Sequence, residues 1–140
     1  MNLYYDIFRE KAAEALKKGK VIEAISIIQT DLIEKNRSAA QDYNFQGTCY
    51  LVSKQYSKAE EVFKKGMELY PYDILFQLNL AHVYLYTDRI SEAKDIHKKY
   101  LNENVTAGKS WINQTKDDFD TFQKYQLSSE NFNKILRILD

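Results

Sequence analysis

Apolar positions recur along the chain at spacings of three and four residues, which is the period of an amphipathic helix. The first such stripe consists of Leu3, Ile7, Phe8, Ala12, Ala15 and Leu16. It ends at Lys18-Gly19-Lys20, where glycine suits the left-handed stop of a helix and lysines suit its negative C-terminal end. The pattern therefore predicts a helix that ends just before Gly19.

The same period predicts seven further helices, with turns between them. The ranges expected for the first six are 21–34, 39–54, 58–70, 73–86, 90–102 and 110–126. Ser38 is placed to cap the third helix, Pro71 stops the fourth, and residues 103–109 are expected to form a loop. The last helix follows the serine pair at 128–129, and its stripe contains Phe132, Ile135, Leu136 and Leu139. We therefore expect eight helices in four antiparallel pairs.

Composition supports a single all-α domain. The chain has 140 residues, of which only 4 are Gly and 1 is Pro, so residues that break helices are scarce. Strands would need clusters of turn residues every 8 to 12 positions, and the sequence lacks them. The 11 Tyr and 7 Phe residues supply bulky groups for a packed core.

Small and aromatic residues return at a fixed interval. Gly47 and Ala81, Tyr50 and Tyr84, and Ala59 and Ala93 form pairs that are each separated by 34 residues. Ala12 and Ala24 precede Gly47 and Ala59 by 35 residues. Small residues are needed where paired helices approach closely, and aromatic rings fill the space beside them. The interval therefore predicts three helix hairpins that pack in the same way.

The middle hairpin resembles a known repeat. The run Tyr43-x-x-Gln46-Gly47-x-x-Tyr50, followed by Ala59-x-x-x-Phe63 and Pro71, is similar to the pattern of the tetratricopeptide repeat. The third hairpin keeps Leu80, Ala81, Tyr84 and Ala93, and the first keeps Phe8, Ala12 and Ala24. The resemblance implies an all-α superhelix of antiparallel helix pairs, a tetratricopeptide-like solenoid. Its units would cover residues 4–37, 39–72 and 73–104 of one domain, 1–140.

The segment 110–139 departs from the repeat and is interpreted as a capping helical hairpin. A terminal repeat must present one face to water, so an atypical sequence is expected there. We expect the cap to cover the sixth helix with Trp111, Phe119, Phe122, Phe132 and Leu136.

The resemblance implies a concave groove lined by the first helix of each pair, where proteins of this family hold a partner's peptide or helix. The side chains expected in that groove are Arg9, Gln41, Asn44, Thr48, Leu75, Leu78, His82 and Tyr86. An alternative interpretation is that the tail hairpin, or a second copy of the chain, covers the apolar end of this surface. One subclass of the family grips carboxylates with several cations, and here Arg9 is the only clear candidate for such a cation.

Charge and chemistry exclude several classes of function. Twenty basic residues balance twenty acidic ones, so we expect no general binding of nucleic acid. The sequence predicts no membrane span, and the start lacks the pattern of a secretion signal, so we expect a cytoplasmic protein. His82 and His97 lack a metal-ligand spacing, Cys49 is interpreted as a small buried group, and the acidic group at 117–120 as a solvated helix face. We expect no metal and no cofactor.

The leading hypothesis is a non-catalytic protein–protein interaction module, an adaptor, scaffold or co-chaperone-like protein. The alternative is a structural unit that forms homo-oligomers through its repeat edges or cap. An enzyme is disfavoured because the sequence has none of the catalytic motifs we sought. A fourth hypothesis is that the chain is one segment of a larger protein.

Overall fold

The computed structural model describes residues 3–140, with side chains from residue 4, and is mostly helical. The side chain of Leu3, expected in the first apolar stripe, lies outside this description. The helices are α1 Leu3–Lys17, α2 Val21–Ile28 with a π-helical continuation Gln29–Ile33, α3 Ala40–Val52, α4 Tyr56–Leu69, α5 Leu75–Tyr86, α6 Ile90–Tyr100, α7 Trp111–Lys124, α8 Glu130–Asn133 and α9 Leu136–Leu139. The prediction of an all-α fold is confirmed, while the solenoid arrangement stays a prediction.

The chain divides into two compact units at Tyr70 and Pro71. The first unit holds the first two predicted hairpins, and the second holds the third hairpin together with the predicted cap. The expectation of a single domain stays a prediction, and each unit is described separately below.

In the first unit, α1 packs against α2 and α3 packs against α4. The small residues expected at the close approaches are buried: Ala12, Ala24 and Ala59 have no exposed surface. Gly47 shows why the size matters, because a Cβ atom at this position would lie 2.6 Å from Cδ1 of Phe63 on α4. Glycine on α3 therefore lets the Phe63 ring fill the space between the two helices.

Three hairpins use the same turn between their helices. Gly19, Lys54 and Asp88 follow the first helix of each pair and adopt positive φ angles of 77°, 64° and 62°. In each turn the next residue donates its N–H to a carbonyl five residues back, the bond of a Schellman motif. These turn residues lie 35 and 34 positions apart, so the backbone repeats with the interval found in the sequence.

Side chains repeat in two of these turns as well. Ser53 donates its hydroxyl to the Cys49 and Tyr50 carbonyls, and Thr87, 34 residues later, does the same to those of Val83 and Tyr84. A hydroxyl in this place gives carbonyls in the last turn of α3 and of α5 a further hydrogen bond, besides the backbone N–H groups that most of them already accept. The sequence analysis did not identify this pair.

A π-helical segment accounts for the longer first interval. The N–H of Glu34 bonds to the Gln29 carbonyl, five residues back, at the end of the π-helical segment Gln29–Ile33. A π-turn contains one residue more than an α-turn. The segment lies between Ala24 and Gly47, so it adds one residue within the interval that is 35 instead of 34.

The second unit places α7 and α9 beside the α5–α6 hairpin. Trp111, at the start of α7, stacks on Tyr100 of α6 with ring centroids 5.3 Å apart. Its indole N–H donates to Nδ1 of His97, also on α6, at 3.0 Å. The predicted contact of Trp111 with the sixth helix is therefore confirmed.

The loop expected at 103–109 is instead a short hairpin. Strands β1 (Asn104–Thr106) and β2 (Lys109–Ser110) pair antiparallel, and Gly108 between them adopts a φ angle of 80°. A positive φ at the second central position of a β-turn favours glycine, so the sequence contained this signal.

Two further predictions about helix ends need correction. Ser38 does not cap α3, because the backbone N–H of Ala39 bonds to the Asp42 carboxylate and Ala39 holds the N-cap position. The single last helix is interrupted, since α8 ends at Asn133 and α9 begins at Leu136. Within residues 3–140, no helix combines the length and the apolar character that crossing a membrane requires.

Candidate functional site

Three of the side chains predicted to line a groove lie in the interior. Leu78 and His82 on α5 have no exposed surface, and Asn44 on α3 is 6% exposed. The prediction that they face a partner is wrong. The error has a physical cause: α5 is covered on nearly every side, so its helical period does not distinguish an inner from an outer face.

The chain's own tail covers the end of α5. Phe119 and Phe122 of α7 contact the His82 ring edge-on, each with ring centroids 5.1 Å apart. The same two rings lie 6.3 Å and 6.0 Å from Tyr86, whose hydroxyl reaches the Ser128 carbonyl at 3.5 Å. The alternative that the tail hairpin covers this surface is therefore correct for His82 and Tyr86.

Arg9 is occupied by carboxylates of its own unit. Its Nε and Nη2 donate to the two oxygens of Asp42 at 2.8 Å, and its Nη1 donates to Asp6 at 3.0 Å. Asp42 is 1% exposed, so this bidentate ion pair is needed to stabilise its buried negative charge. These bonds raise the pKa of Arg9 above its usual range, mainly through Asp42. Arg9 therefore holds α1 against α3, and its predicted place among the groove residues is corrected.

The remaining predicted positions stay accessible. Gln41 is exposed, and Thr48 and Leu75 are half-buried. Gln41 and Thr48 lie on α3 in the first unit and Leu75 begins α5 in the second, so the structure brings no complete groove together within either unit. Their role in binding stays a prediction.

The first unit contains a cleft that the sequence analysis did not identify. It lies between the π-helical segment, α3 and α4, and its volume is about 480 Å³. Its lining residues are Gln29, Ile33, Tyr43, Gln46, Glu61, Val62, Lys64, Lys65 and Glu68. Most of them belong to the second helix of a hairpin, whereas the prediction had considered only the first helices.

Apolar groups and a pair of amides form the inner part of this cleft. Tyr43 and Gln46 are buried, while Ile33 and Val62 are half-buried. The side-chain amide of Gln46 donates to Oε1 of Gln29 at 3.1 Å, which orients both amides across the cleft. A few fixed polar groups among apolar surface are typical of ligand-binding pockets.

Charged residues of both signs surround the opening. Glu61, Lys65 and Glu68 are exposed on α4, and Lys64 pairs with Glu60 one turn earlier at 2.8 Å. The π-turn shapes the opposite edge, because its wider turn displaces Gln29 and Ile33 from the positions of a regular helix. This displacement could not be derived from a periodic pattern, so the sequence analysis did not predict the cleft.

The other side chains that could be chemically active have structural roles in the packed interior. Cys49 is buried, and burial raises the pKa of its thiol to about 12, which makes it unreactive at neutral pH. His97 is fully buried beside Trp111, as expected for a packed histidine. In the described part of the chain, no three His, Cys, Asp or Glu side chains converge on a possible metal position.

One acidic residue differs from its predicted environment. Asp118 is not on a solvated face, because its Oδ2 bonds to Nε2 of His82 at 2.9 Å and its Oδ1 accepts from Gln114 at 2.8 Å. Its neighbour Asp117 is exposed and pairs with Lys109, as a solvated carboxylate would.

No protein-family model, curated protein or solved structure matches this chain. The resemblance to the tetratricopeptide repeat therefore depends on the interval, the motif residues and the repeated turns alone, and membership of that family stays a prediction.

Proposed function

We propose that this chain is a non-catalytic protein–protein interaction module whose binding site is the cleft formed by the π-helical segment, α3 and α4. The observation that carries the proposal is the cleft itself, about 480 Å³ with Ile33, Tyr43 and Val62 on its inner surface. That volume lies within the range of ligand-binding pockets, which is about 300–1,000 Å³.

The chemistry of the cleft favours a segment that is apolar with scattered charges of both signs. The apolar surface would contact alternate side chains, the Gln46–Gln29 amides would bond the partner's backbone, and the rim charges would select its flanking residues. Acidic C-terminal peptides are disfavoured, because Arg9 is already bound to Asp42 and Asp6. A cytoplasmic location belongs to the same proposal.

The double variant V62A/K65E tests the site. It removes part of the apolar surface and reverses a charge on the rim, while both positions stay compatible with helix. K116E is the matched control, because Lys116 is an exposed lysine within α7 of the other unit. Each protein is used for affinity capture from the source cell, and thermal melting checks that each is folded.

The proposal predicts a protein retained by the wild type and by K116E and lost with V62A/K65E. Retention of every captured protein by all three forms would contradict it. The competing hypothesis of a self-assembling unit predicts a molar mass that rises with protein concentration in light scattering. A monomer at all concentrations would exclude that hypothesis.

A further inference from the structure

Two linked side-chain amides lie in the inner part of the cleft. The nitrogen Nε2 of Gln46 donates to Oε1 of Gln29 at 3.1 Å and approaches the Ile25 carbonyl at 3.5 Å. A backbone carbonyl can only accept, so the Gln46 atom that faces it is the nitrogen, and the Gln29 atom that faces the same nitrogen is the oxygen. These contacts therefore determine which end of each amide is already bonded.

The other end of each amide is open. In the part of the chain that the structure describes, no group bonds to Oε1 of Gln46 or to Nε2 of Gln29, and neither atom is sealed from solvent. Both side chains line the cleft, and Gln46 is only 4% exposed. The cleft thus offers one acceptor and one donor, held side by side by the bond between the two amides.

Packing alone does not require an amide at position 46. The residue 34 positions later, at the same place in the repeat, is Leu80, which is buried and has no polar atom in its side chain. A buried amide with an open acceptor is less favourable than a leucine of similar size. What glutamine adds over leucine at this position is a hydrogen-bond group inside the cleft.

We propose that the cleft binds a partner segment in an extended, strand-like conformation, and that Gln46 and Gln29 bond to the N–H and the C=O of one of its residues. This inference rests on the proposed function and decides between two forms of partner, an extended chain and a helix. In a strand the N–H and the C=O of one residue point to the same side and can bond outward. Oε1 of Gln46 accepts that N–H, and Nε2 of Gln29 donates to that C=O.

A helical partner does not match these two amides. The backbone N–H and C=O groups along a helix bond to one another, so they are not available to Gln46 and Gln29. The apolar face of a helix in the cleft would bury the open amide atoms without giving them a partner, which is costly. An extended chain avoids this cost because its backbone satisfies both atoms.

The apolar walls of the cleft suit the side chains of an extended segment. Ile33 and Val62 are half-buried, so part of their surface is accessible to a ligand. Alternate side chains of a strand point to one face, so residues two positions apart would contact these walls. We therefore expect apolar residues at positions i and i+2 of the partner, whereas a helix would present them at i, i+3 and i+4.

Random twelve-residue peptides displayed on phage test the inference with the full-length chain. Peptides that bind V62A/K65E are removed first, the remainder are selected on the wild type, and the most enriched sequence is synthesised as the probe. We expect its apolar residues to lie two positions apart. Apolar residues at a helical spacing would overturn the inference of an extended partner and would leave the cleft as the binding site.

The variant Q46L removes the open acceptor and keeps a side chain of similar size. It should weaken binding of the probe by about tenfold, because one N–H of the peptide then lacks its acceptor inside the cleft. Urea unfolding should show no loss of stability, as expected from leucine at position 80. Q123L is the matched control, since Gln123 is exposed on α7 of the other unit, and it should bind like the wild type. Equal affinity of Q46L and the wild type would overturn the proposal.

Methylation of the probe's backbone nitrogens gives a test that does not depend on the folding of a variant. Each N–H is replaced in turn by N–CH₃, and one position should weaken binding to the wild type by about tenfold or more. The same methylation should have a smaller effect on Q46L, where that bond is already lost. Unchanged binding after methylation at every position would overturn the proposal. If the wild type selected no peptide over V62A/K65E, the proposed function itself would be contradicted, and this inference with it.

Discussion

At the scale of single residues, a few positions are more important for packing and for ion pairing than their side chains suggest. Gly47 makes room for a phenylalanine, and Asp42 is a buried charge that depends on one arginine. Sequence spacing indicated that Gly47 is structural, because small residues recur there. It could not indicate that Arg9 binds Asp42. The two residues belong to different helices, and an ion pair between helices does not produce a periodic pattern in the sequence.

Gly47→Ala should destabilise the chain by about 2 kcal/mol, because the added methyl group overlaps the Phe63 ring and the core must shift. Urea unfolding measures the loss. The double variant G47A/F63L should recover part of it, since leucine leaves the methyl group space. Equal stability of Gly47→Ala and the wild type would show that the two helices are not in close contact here.

His97 should make the chain sensitive to acid. Its pKa is lowered to about 3 in the folded state, chiefly by burial, whereas an unfolded histidine takes up its proton near pH 6.5. Between these values the unfolded state binds more protons, so the free energy of unfolding falls as the pH falls. At pH 5 the loss from this residue is about 2 kcal/mol.

Urea unfolding between pH 7 and pH 4 measures this effect. His97→Gln keeps an acceptor for Trp111 without a titrating ring, so its stability should depend less on pH than that of the wild type. Parallel pH profiles for the two proteins would contradict the assignment.

At the scale of elements, helices with a period were predictable and irregular segments were not. Six helix ranges agree with the structure to within a few residues. Apolar stripes indicate where these helices lie, and Gly19 and Pro71 indicate where two of the chain's helices end. The β1–β2 hairpin, the π-turn and the break between α8 and α9 were missed. Each is a local departure from a regular pattern. Specific hydrogen bonds determine its geometry, and the spacing of apolar residues does not encode those bonds.

The repeated turns give a prediction at this scale. Lys54 and Asp88 occupy the left-handed position that Gly19 holds in the first hairpin, and a side chain is unfavourable there. K54G and D88G should each raise the free energy of unfolding by about 0.5–1 kcal/mol, because relief of this strain exceeds the added freedom of the unfolded chain.

K116G is the control for these substitutions. Lys116 lies within α7, where glycine should cost about 1 kcal/mol. Thermal unfolding of the three variants distinguishes the positions. If K54G and D88G were as destabilising as K116G, the turn would not repeat in solution.

At the scale of the whole molecule, the C-terminal tail changes which surface of the repeats is accessible to a partner. The sequence predicted both the cap and the groove, and it left open whether one covers the other. In the second unit α7 occupies the face that His82 and Tyr86 were expected to present. Such an arrangement depends on contacts between segments far apart in sequence, which the repeat interval does not describe.

Deletion of residues 110–140 should expose that face. Three aromatic side chains of α7, Trp111, Phe119 and Phe122, are buried, and burying each contributes about 4 kcal/mol at 25 cal/mol per Å². The loss is comparable to the whole stability of a small domain. The shortened chain should therefore bind a hydrophobic dye and associate. A monomer that melts at the temperature of the full chain would show that the tail is not part of the fold.

Photo-crosslinking in the source cell tests most directly where the chain binds a partner. A photoreactive amino acid replaces one residue at a time: Lys65 on the rim of the cleft, Gln41 at an accessible position of the predicted groove, or Lys116 on α7 as the control. We expect a protein crosslinked through position 65 and absent at positions 41 and 116. A partner captured through position 41 and never through position 65 would contradict the assignment of binding to the cleft.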